Sequence, residues 1–410
     1  FNFSYKGPWR FQFSQCQLCN RSTLPLSPET QSPMEDSHMS KSPLISLDIV
    51  VPSFRADVKV LKSIRNLVCP KDMNRRMIIV LDNPSHPVPE QLKTWSYHDT
   101  TIVTNSVNLG ANGSRNRGIE ESTSDWILFL DDDIEPQPNL LNVYAEAIRE
   151  SGEKVPGFVG VTRFPKPKNN FTAGVVASDI LTFFDLAEHK EKMSWGITAN
   201  LMVKREALAE HRFRSCFPKE GGGEDIDICL EIVNSYGTEF ATEPNAVVHH
   251  PWWNNSERAY RRFFRWAYGD SNLPALHPQH RWRNFPNTAE LLTICVISAY
   301  LFYMVDESFP KMMLLAISGI IASDFFSEWI RLLVGKRIAN PIIAIESSCV
   351  RFSNDLGRVK AVVQSLKPWR ITERFDYATT GEWIWGERKW AFTRFCLQTV
   401  VTFSLIDLLM

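Results

Sequence analysis

Three adjacent carboxylates, Asp131-Asp132-Asp133, follow the apolar run Trp126-Ile-Leu-Phe-Leu130 and precede Ile134-Glu135-Pro136. Acids this close repel one another unless a cation lies among them. Hard oxygen donors in such a place suit Mg2+ or Mn2+, ions that commonly bridge protein carboxylates to a diphosphate. A solvated acidic turn ending at Pro136 is the plain alternative, and the buried strand ahead of the cluster favours the metal. A second acidic set, Glu224-Asp225-Ile226-Asp227, stands behind three glycines, Gly221 to Gly223. Ile226, Cys229, Leu230 and Val233 recur at helical spacing, so a helix is expected to start near Glu224. The helix dipole alone stabilises acids there. The glycines, however, predict a loop able to close over a substrate, with a carboxylate at its edge placed as general base. Downstream, the strand-like stretch Thr238 to Val248 ends in His249-His250-Pro251-Trp252-Trp253. An imidazole at a strand end can complete a metal site with the aspartates, although a lone histidine is more often structural. In Glu257 to Gly269, Arg258, Arg261, Arg262 and Arg265 fall on one helical stripe. Guanidinium groups grip phosphates bidentately, and a leaving diphosphate is one ligand for such a stripe, lipid headgroups or water being the others.

These residues need a scaffold that brings them together. From Leu47 onward, short apolar runs alternate with amphipathic stretches: strands at Leu47 to Ser53, Arg76 to Asp82, Thr100 to Asn105 and Trp126 to Asp131, helices at Asp57 to Val68 and Gly110 to Ser122. Continuous apolar runs predict strands covered on both faces, as in a mostly parallel α/β sheet flanked by helices. Ligands of such sheets gather at the carboxyl ends of the strands. Ser53, Asp82, Asn105 and Asp131 all fall there.

With 410 residues, 44% hydrophobic and 22% charged, the chain has material for one large or two medium domains. A formal charge of -1 argues against a nucleic-acid partner. The eight cysteines are scattered and form no disulfide framework, and Cys16 and Cys19 make a CxxC without a second pair. Ser22 to Pro43 is rich in Ser and Pro and reads as a linker. The chain begins at Phe1 rather than Met, which leaves room for a signal or anchor upstream. After about residue 285, Leu291 to Val305, Met312 to Ser323 and Phe395 to Met410 are apolar, yet none reaches the roughly 18–20 residues of a comfortable membrane span. Arg351 to Arg374 mixes basic and apolar residues in a way that suits an anionic lipid surface. The expected division is a flexible segment 1–45, a catalytic domain 46–270 and a helical, membrane-associated region 271–410.

In order and spacing, the elements from Leu47 to Trp266 resemble family 2 glycosyltransferases of the GT-A fold. Val50-Val-Pro-Ser-Phe54, with Pro52 and Ser53, looks like the family's first strand and turn. Val80-Leu-Asp82 looks like the second strand, whose aspartate contacts the nucleotide base. Ser114-Arg115-Asn116-Arg-Gly118 is similar to the stretch whose arginine lies near that base. Phe129 to Asp133 is similar to the DxD element, which implies Asp131 and Asp132 at the nucleotide sugar and Asp133, with Asp131, on the metal. Gly223-Glu224-Asp225 resembles the Glu-Asp element and makes Asp225, beside Glu224, the base. Pro244 to His250 looks like the strand ending in the metal-binding histidine, and alternation along it favours His250 over His249. Arg262-Phe-Phe-Arg265-Trp266 is similar to the QxxRW element of polysaccharide synthases, with Arg262 in place of the glutamine. That departure favours addition of single sugars over processive synthesis.

The resemblance implies an inverting, metal-dependent hexosyl- or N-acetylhexosaminyl-transferase in glycan or polysaccharide biosynthesis, with a nucleotide-sugar donor, UDP-linked by family habit. Arg262, Arg265 and Trp266 would face the donor, and Trp252 and Trp253 would stack on an acceptor that is a glycan, a lipid-linked sugar or a protein. The implied place is a membrane with the catalytic domain in the cytoplasm, the Golgi lumen being the alternative. A sugar nucleotidyltransferase ranks lower, because Val51-Pro-Ser-Phe-Arg55 lacks a glycine-rich phosphate loop, and a non-catalytic nucleotide-sugar binder is a further rival.

Overall fold

The computed structural model describes residues 44–409 apart from 98, 152–153 and 304–307. The linker read at Ser22 to Pro43 and the Cys16–Cys19 pair lie outside the described residues, as does nearly all of the segment 1–45.

The central sheet has nine strands: β1 (Ile45–Ser53), β2 (Met73–Leu81), β3 (Thr100–Thr104), β4 (Trp126–Leu130), β5 (Glu135–Pro136), β6 (Gly157–Arg163), β7 (Lys192–Met193), β8 (Asn200–Lys204) and β9 (Phe240–His249). Their order is β3-β2-β1-β4-β8-β6-β9-β5, with β7 paired to β9. Strands β3, β2, β1 and β4 are parallel, β8 runs against both β4 and β6, and β9 is parallel to β6. Most of the sheet therefore points one way. The four strands legible as unbroken apolar runs are its parallel half. Side chains of β1 alternate between two cores: Leu47, Ile49 and Val51 pack with Leu61, Ile64 and Tyr144, whereas Val50 packs with Ile78, Phe129 and Ile119. Both faces are thus covered.

Helices fill the connections: α1 (Val58–Arg65), α2 (Glu90–Lys93), α3 (Gly110–Glu121), α4 (Leu140–Ser151), α5 (Asn170–Ala177), α6 (Arg205–Leu208) and α7 (Glu224–Tyr236). After β9 come α8 (Tyr260–Asp270), α9 (Leu273–Leu276), α10 (Thr288–Phe302), α11 (Phe309–Arg331), α12 (Pro341–Ser365) and α13 (Ile384–Leu409). A two-stranded ribbon, β10 (Arg281–Arg283) with β11 (Glu373–Phe375), joins the two ends of this region. Helix α8 starts later than the charge pattern implied, because Asn254, Asn255 and Ser256 all adopt positive φ and hold Trp253–Ser256 in a separate turn.

The C-terminal helices correct one expectation. Two of them, Phe309–Lys336 of 28 residues and Ile384–Leu408 of 25, are long and apolar enough to cross a membrane. Counting apolar residues stopped at charges that the fold neutralises within the helical layer. Glu328 is bonded by Arg331 at 2.7 Å, Arg374 pairs with Glu290 at 2.8 Å, and Arg394 approaches Asp324 at 3.6 Å. These helices then continue past the polar layer with apolar residues exposed, among them Leu314, Ile321, Val400, Phe403 and Leu408, and α10 beside them exposes Tyr300 and Leu301.

Candidate active site

A cleft of about 740 Å³ opens at the carboxyl ends of β1 and β4 and takes in Pro52, Ser53, Asp131, Asp132, Asp133, Asp225 and His250. Three stretches far apart in sequence meet there. Asp133 Oδ1 lies 3.2 Å from His250 Nε2, while His249 points to the surface. The other ring nitrogen, Nδ1, is 2.7 Å from the Pro251 carbonyl, which can only accept, so Nδ1 carries a proton. The Trp253 indole N–H, a donor only, approaches Nε2 at 3.2 Å. Burial opposes a charged imidazole, but Asp133 raises the His250 pKa, so Nε2 and Asp133 share a proton that a divalent cation would displace. Asp133 and His250 pair a carboxylate with an imidazole, donors that suit Mn2+ better than Mg2+. Burial opposes ionisation of Asp133, but the hydrogen bond and charge of His250, together with Arg55, hold its carboxyl well below the usual range.

Asp132 turns away from this point. It accepts from Ser53 Oγ at 2.8 Å and from the Arg55 guanidinium, so it ties the aspartate loop to the end of β1. Arg55 also reaches Asp133 Oδ2 at 3.0 Å. Sequence reading passed over Arg55. Its place two residues beyond a strand end on the ligand side was the available signal.

Arg115, expected near a nucleotide base, is instead the buried link between the two acidic sets. Its guanidinium is 3.0 Å from Asp131, 3.4 Å from Glu224 and 3.8 Å from Asp225. Asp82 borders the cleft, but its oxygens accept from Asn105 Nδ2 at 2.8 Å and from the amides of Leu109 at 2.8 Å and Gly110 at 2.7 Å. Its first task is to hold the start of α3.

Asp225 sits in the first turn of α7. Thr198, just before β8, donates its hydroxyl to Oδ1 at 2.8 Å and its amide to Oδ2 at 3.3 Å, fixing the carboxylate plane. Burial and the neighbouring Glu224 push the Asp225 carboxyl up to about 6, against Arg115 and the Thr198 bonds. Glu224 accepts from the Gly222 amide and braces the glycine loop. All three glycines have positive φ, and Gly222, at φ 142°, lies against the α8 backbone: a Cβ there would meet Trp266 Cα at 3.0 Å. The loop is seated on α8 rather than free.

Of the α8 stripe, only Arg262 and Arg265 line the cleft. Arg258 pairs with Glu346 on α12. Arg262 stacks over Trp253 at 4.6 Å, and burial beside Arg265 lowers its pKa to about 10. Trp253 and Trp266 meet edge to face at 5.3 Å on the cleft wall. Trp252, expected at the acceptor, is buried with Phe171, Phe263 and Val350 and donates to the Lys166 carbonyl at 3.2 Å. It is a packing residue because the turn at Trp253–Ser256 sends the two tryptophans in different directions.

The cleft does not end with the α/β domain. Asn354 and Arg358 of α12, and Tyr377 after β11, complete its wall beside Asp270. A division at residue 270 therefore cuts through the site. Elsewhere, Asp227, Glu231 and His277 lie close enough to share a metal, but Arg214 occupies the place, at 2.7 Å from Asp227 and 3.0 Å from Glu231.

The structure is a two-sided, mostly parallel α/β sheet with an acidic cleft at its carboxyl edge. Residues 48–212 match Glycosyl transferase family 2. It is 30% identical over 162 residues to an uncharacterized glycosyltransferase of Haemophilus influenzae, covering 36% of this chain and 53% of that protein. It is 28% identical over 216 residues to the succinoglycan biosynthesis protein ExoM of Rhizobium meliloti, covering 50% of this chain and 67% of the relative. The chain thus spans about half the length of the first of these relatives. Among solved structures, mannosyltransferase PcManGT of Pyrobaculum calidifontis, in complex with GDP-Man and Mn2+, matches at 14% identity and a TM-score of 0.44, covering 80% of this chain and 88% of that one.

Proposed function

We propose that the chain is an inverting glycosyltransferase that moves a sugar from a nucleotide-sugar donor, UDP-linked in the leading reading, onto an acceptor hydroxyl. The observation that carries this is the convergence of Asp133, His250, Asp131 and Asp225 around one cleft, cross-braced by Arg115. Asp225 takes the proton of the attacking hydroxyl, its plane set by Thr198 and its pKa lifted to about 6, near the working range of a base. Asp131, Asp133 and His250 would hold a divalent cation, Mn2+ before Mg2+, which when bound neutralises charge on a departing diphosphate. Arg262 and Arg265 face the same space and are placed to bind the phosphates. Pro52, Ser53 and Asp82 line the end of the cleft where a nucleoside would lie.

Membrane attachment belongs to the same reading. The exposed apolar residues of α10, α11 and α13 exceed what a soluble surface tolerates as contiguous patch, and lipid is the medium that covers them. The test is to incubate the full chain with UDP- and GDP-sugars plus Mn2+ and follow released nucleoside diphosphate. Binding without release points to a non-catalytic binder. Neither binding nor release with any donor defeats the proposal.

A further inference from the structure

The C-terminal helical region forms one wall of the cleft, on the side of Asp225 away from the Asp131–His250 site. Helix α12 is pressed onto α8 at Gly357, where a Cβ would come within 2.1 Å of the Phe264 carbonyl oxygen. Ser353 donates to the Tyr260 carbonyl at 2.8 Å and Asn354 to the Phe263 carbonyl at 3.4 Å, so the register between the helices is fixed. This contact sets Arg358 into the wall beside Asp270, the last residue of α8. Asp270 accepts from the Tyr377 hydroxyl at 2.6 Å. Arg358 makes no hydrogen bond or ion pair of 4.0 Å or less among the described residues. An arginine and an aspartate thus face one cleft without pairing directly, though each feels the other's charge and Asp355 and Glu387 also act on Arg358.

From this geometry we infer that Asp270 and Arg358 form a subsite for the acceptor, and that they read a pair of adjacent hydroxyls on an uncharged sugar. A hydroxyl both donates and accepts, so one can donate to the Asp270 carboxylate while its neighbour accepts from the Arg358 guanidinium. The aromatic side chains of Trp195, Phe183 and Tyr377 border the same end and offer apolar surface to a sugar ring. An acidic sugar fits less well, since at this end Asp225 and Asp270 outnumber the single guanidinium of Arg358. Asp270 and Arg358 are specificity residues in this assignment, which rests on the transferase reading above but can fail separately from it.

Binding is the test, because it needs no donor and no turnover. Methyl β-glucoside, methyl α-mannoside and methyl β-galactoside are titrated calorimetrically into the full chain, with their deoxy analogues and with glucuronate. At least one neutral glycoside is expected to bind about tenfold or more tightly than glucuronate, and loss of one of its adjacent hydroxyls to cost about tenfold. In Asp270→Asn and Arg358→Gln that deoxy penalty shrinks toward one, while Arg358→Lys retains part of it. A merely structural role would weaken all sugars alike and leave the penalty unchanged. Failure of every neutral glycoside to bind, glucuronate binding as well as the best of them, or an undiminished penalty in both variants overturns the inference. Absence of nucleotide-sugar turnover by the unaltered protein would strike the transferase reading alone.

Discussion

At the scale of the residue, Asp225 carries the most direct prediction. Replacing it with Asn keeps size and the Thr198 contact but removes the proton acceptor, so transfer should fall by about 10²–10⁴-fold with donor binding retained. The base works only when ionised. With the Asp225 pKa at about 6, kcat/KM should rise with pH through about 6 and level off above it. Thr198→Val supplies the sign check: the hydroxyl stabilises the ionised carboxylate, so its loss raises the pKa and moves the rising limb to higher pH. A pH profile unchanged in both variants would remove Asp225 from the role of base. A parallel measurement addresses the cation: His250→Ala deletes one of three donors, and Mn2+ affinity should drop about tenfold or more in a titration without any substrate. The chemistry-bearing positions Asp131, Asp133, Asp225 and His250 were legible because each stands at the edge of a strongly patterned element. Thr198 and Arg358 were not, since each acquires meaning only from what the fold puts across from it.

Among the elements, the glycine loop and the α8–α12 contact decide whether the site is assembled. Gly222→Ala forces a side chain onto a φ of 142° and against Trp266 Cα, costing about 1–3 kcal/mol locally. Because Gly222 also donates to Glu224, the loop should shift, and activity should fall more than global stability. Comparing kcat/KM with the thermal midpoint tests this; equal losses in both would mean the loop is only structural. The parallel strands β1 to β4 could be read from sequence because burial on two faces makes unbroken apolar runs. Strands β6 and β8 could not: Gly160 interrupts the apolar run Gly157-Phe-Val-Gly-Val-Thr-Arg163, and the antiparallel β8 enters only through pairing with β4 and β6. Helix α12 was hidden for another reason. Its basic residues read as a face for anionic lipid until Gly357 is seen to bring it onto α8.

For the whole molecule, the question is how a cleft and an apolar bundle cooperate. Helices α10, α11 and α13 are tied by a polar layer, with Thr288 bonded to Gln398 at 3.0 Å and Glu290 to Arg374 at 2.8 Å, and Arg331 of α11 reaches Asp179 of the catalytic domain at 2.8 Å. Beyond that layer their side chains turn apolar and exposed, so this apolar surface and the cleft sit on one connected body that includes α12 and Arg358. A surface so divided should bind bilayers without needing the donor site. Full chain mixed with vesicles of phosphatidylcholine and phosphatidylserine should float with them, and high salt should weaken but not abolish the association, because apolar burial persists when charge is screened. Val400→Glu combined with Phe403→Glu places two charges among the exposed apolar residues of α13, far in sequence from every cleft residue. A buried carboxylate in lipid costs several kcal/mol, so flotation should drop at least tenfold while nucleotide-sugar hydrolysis in detergent is kept. If the double variant floats as well as the unaltered chain, lipid does not cover that surface, and the exposed helices must be covered by protein instead.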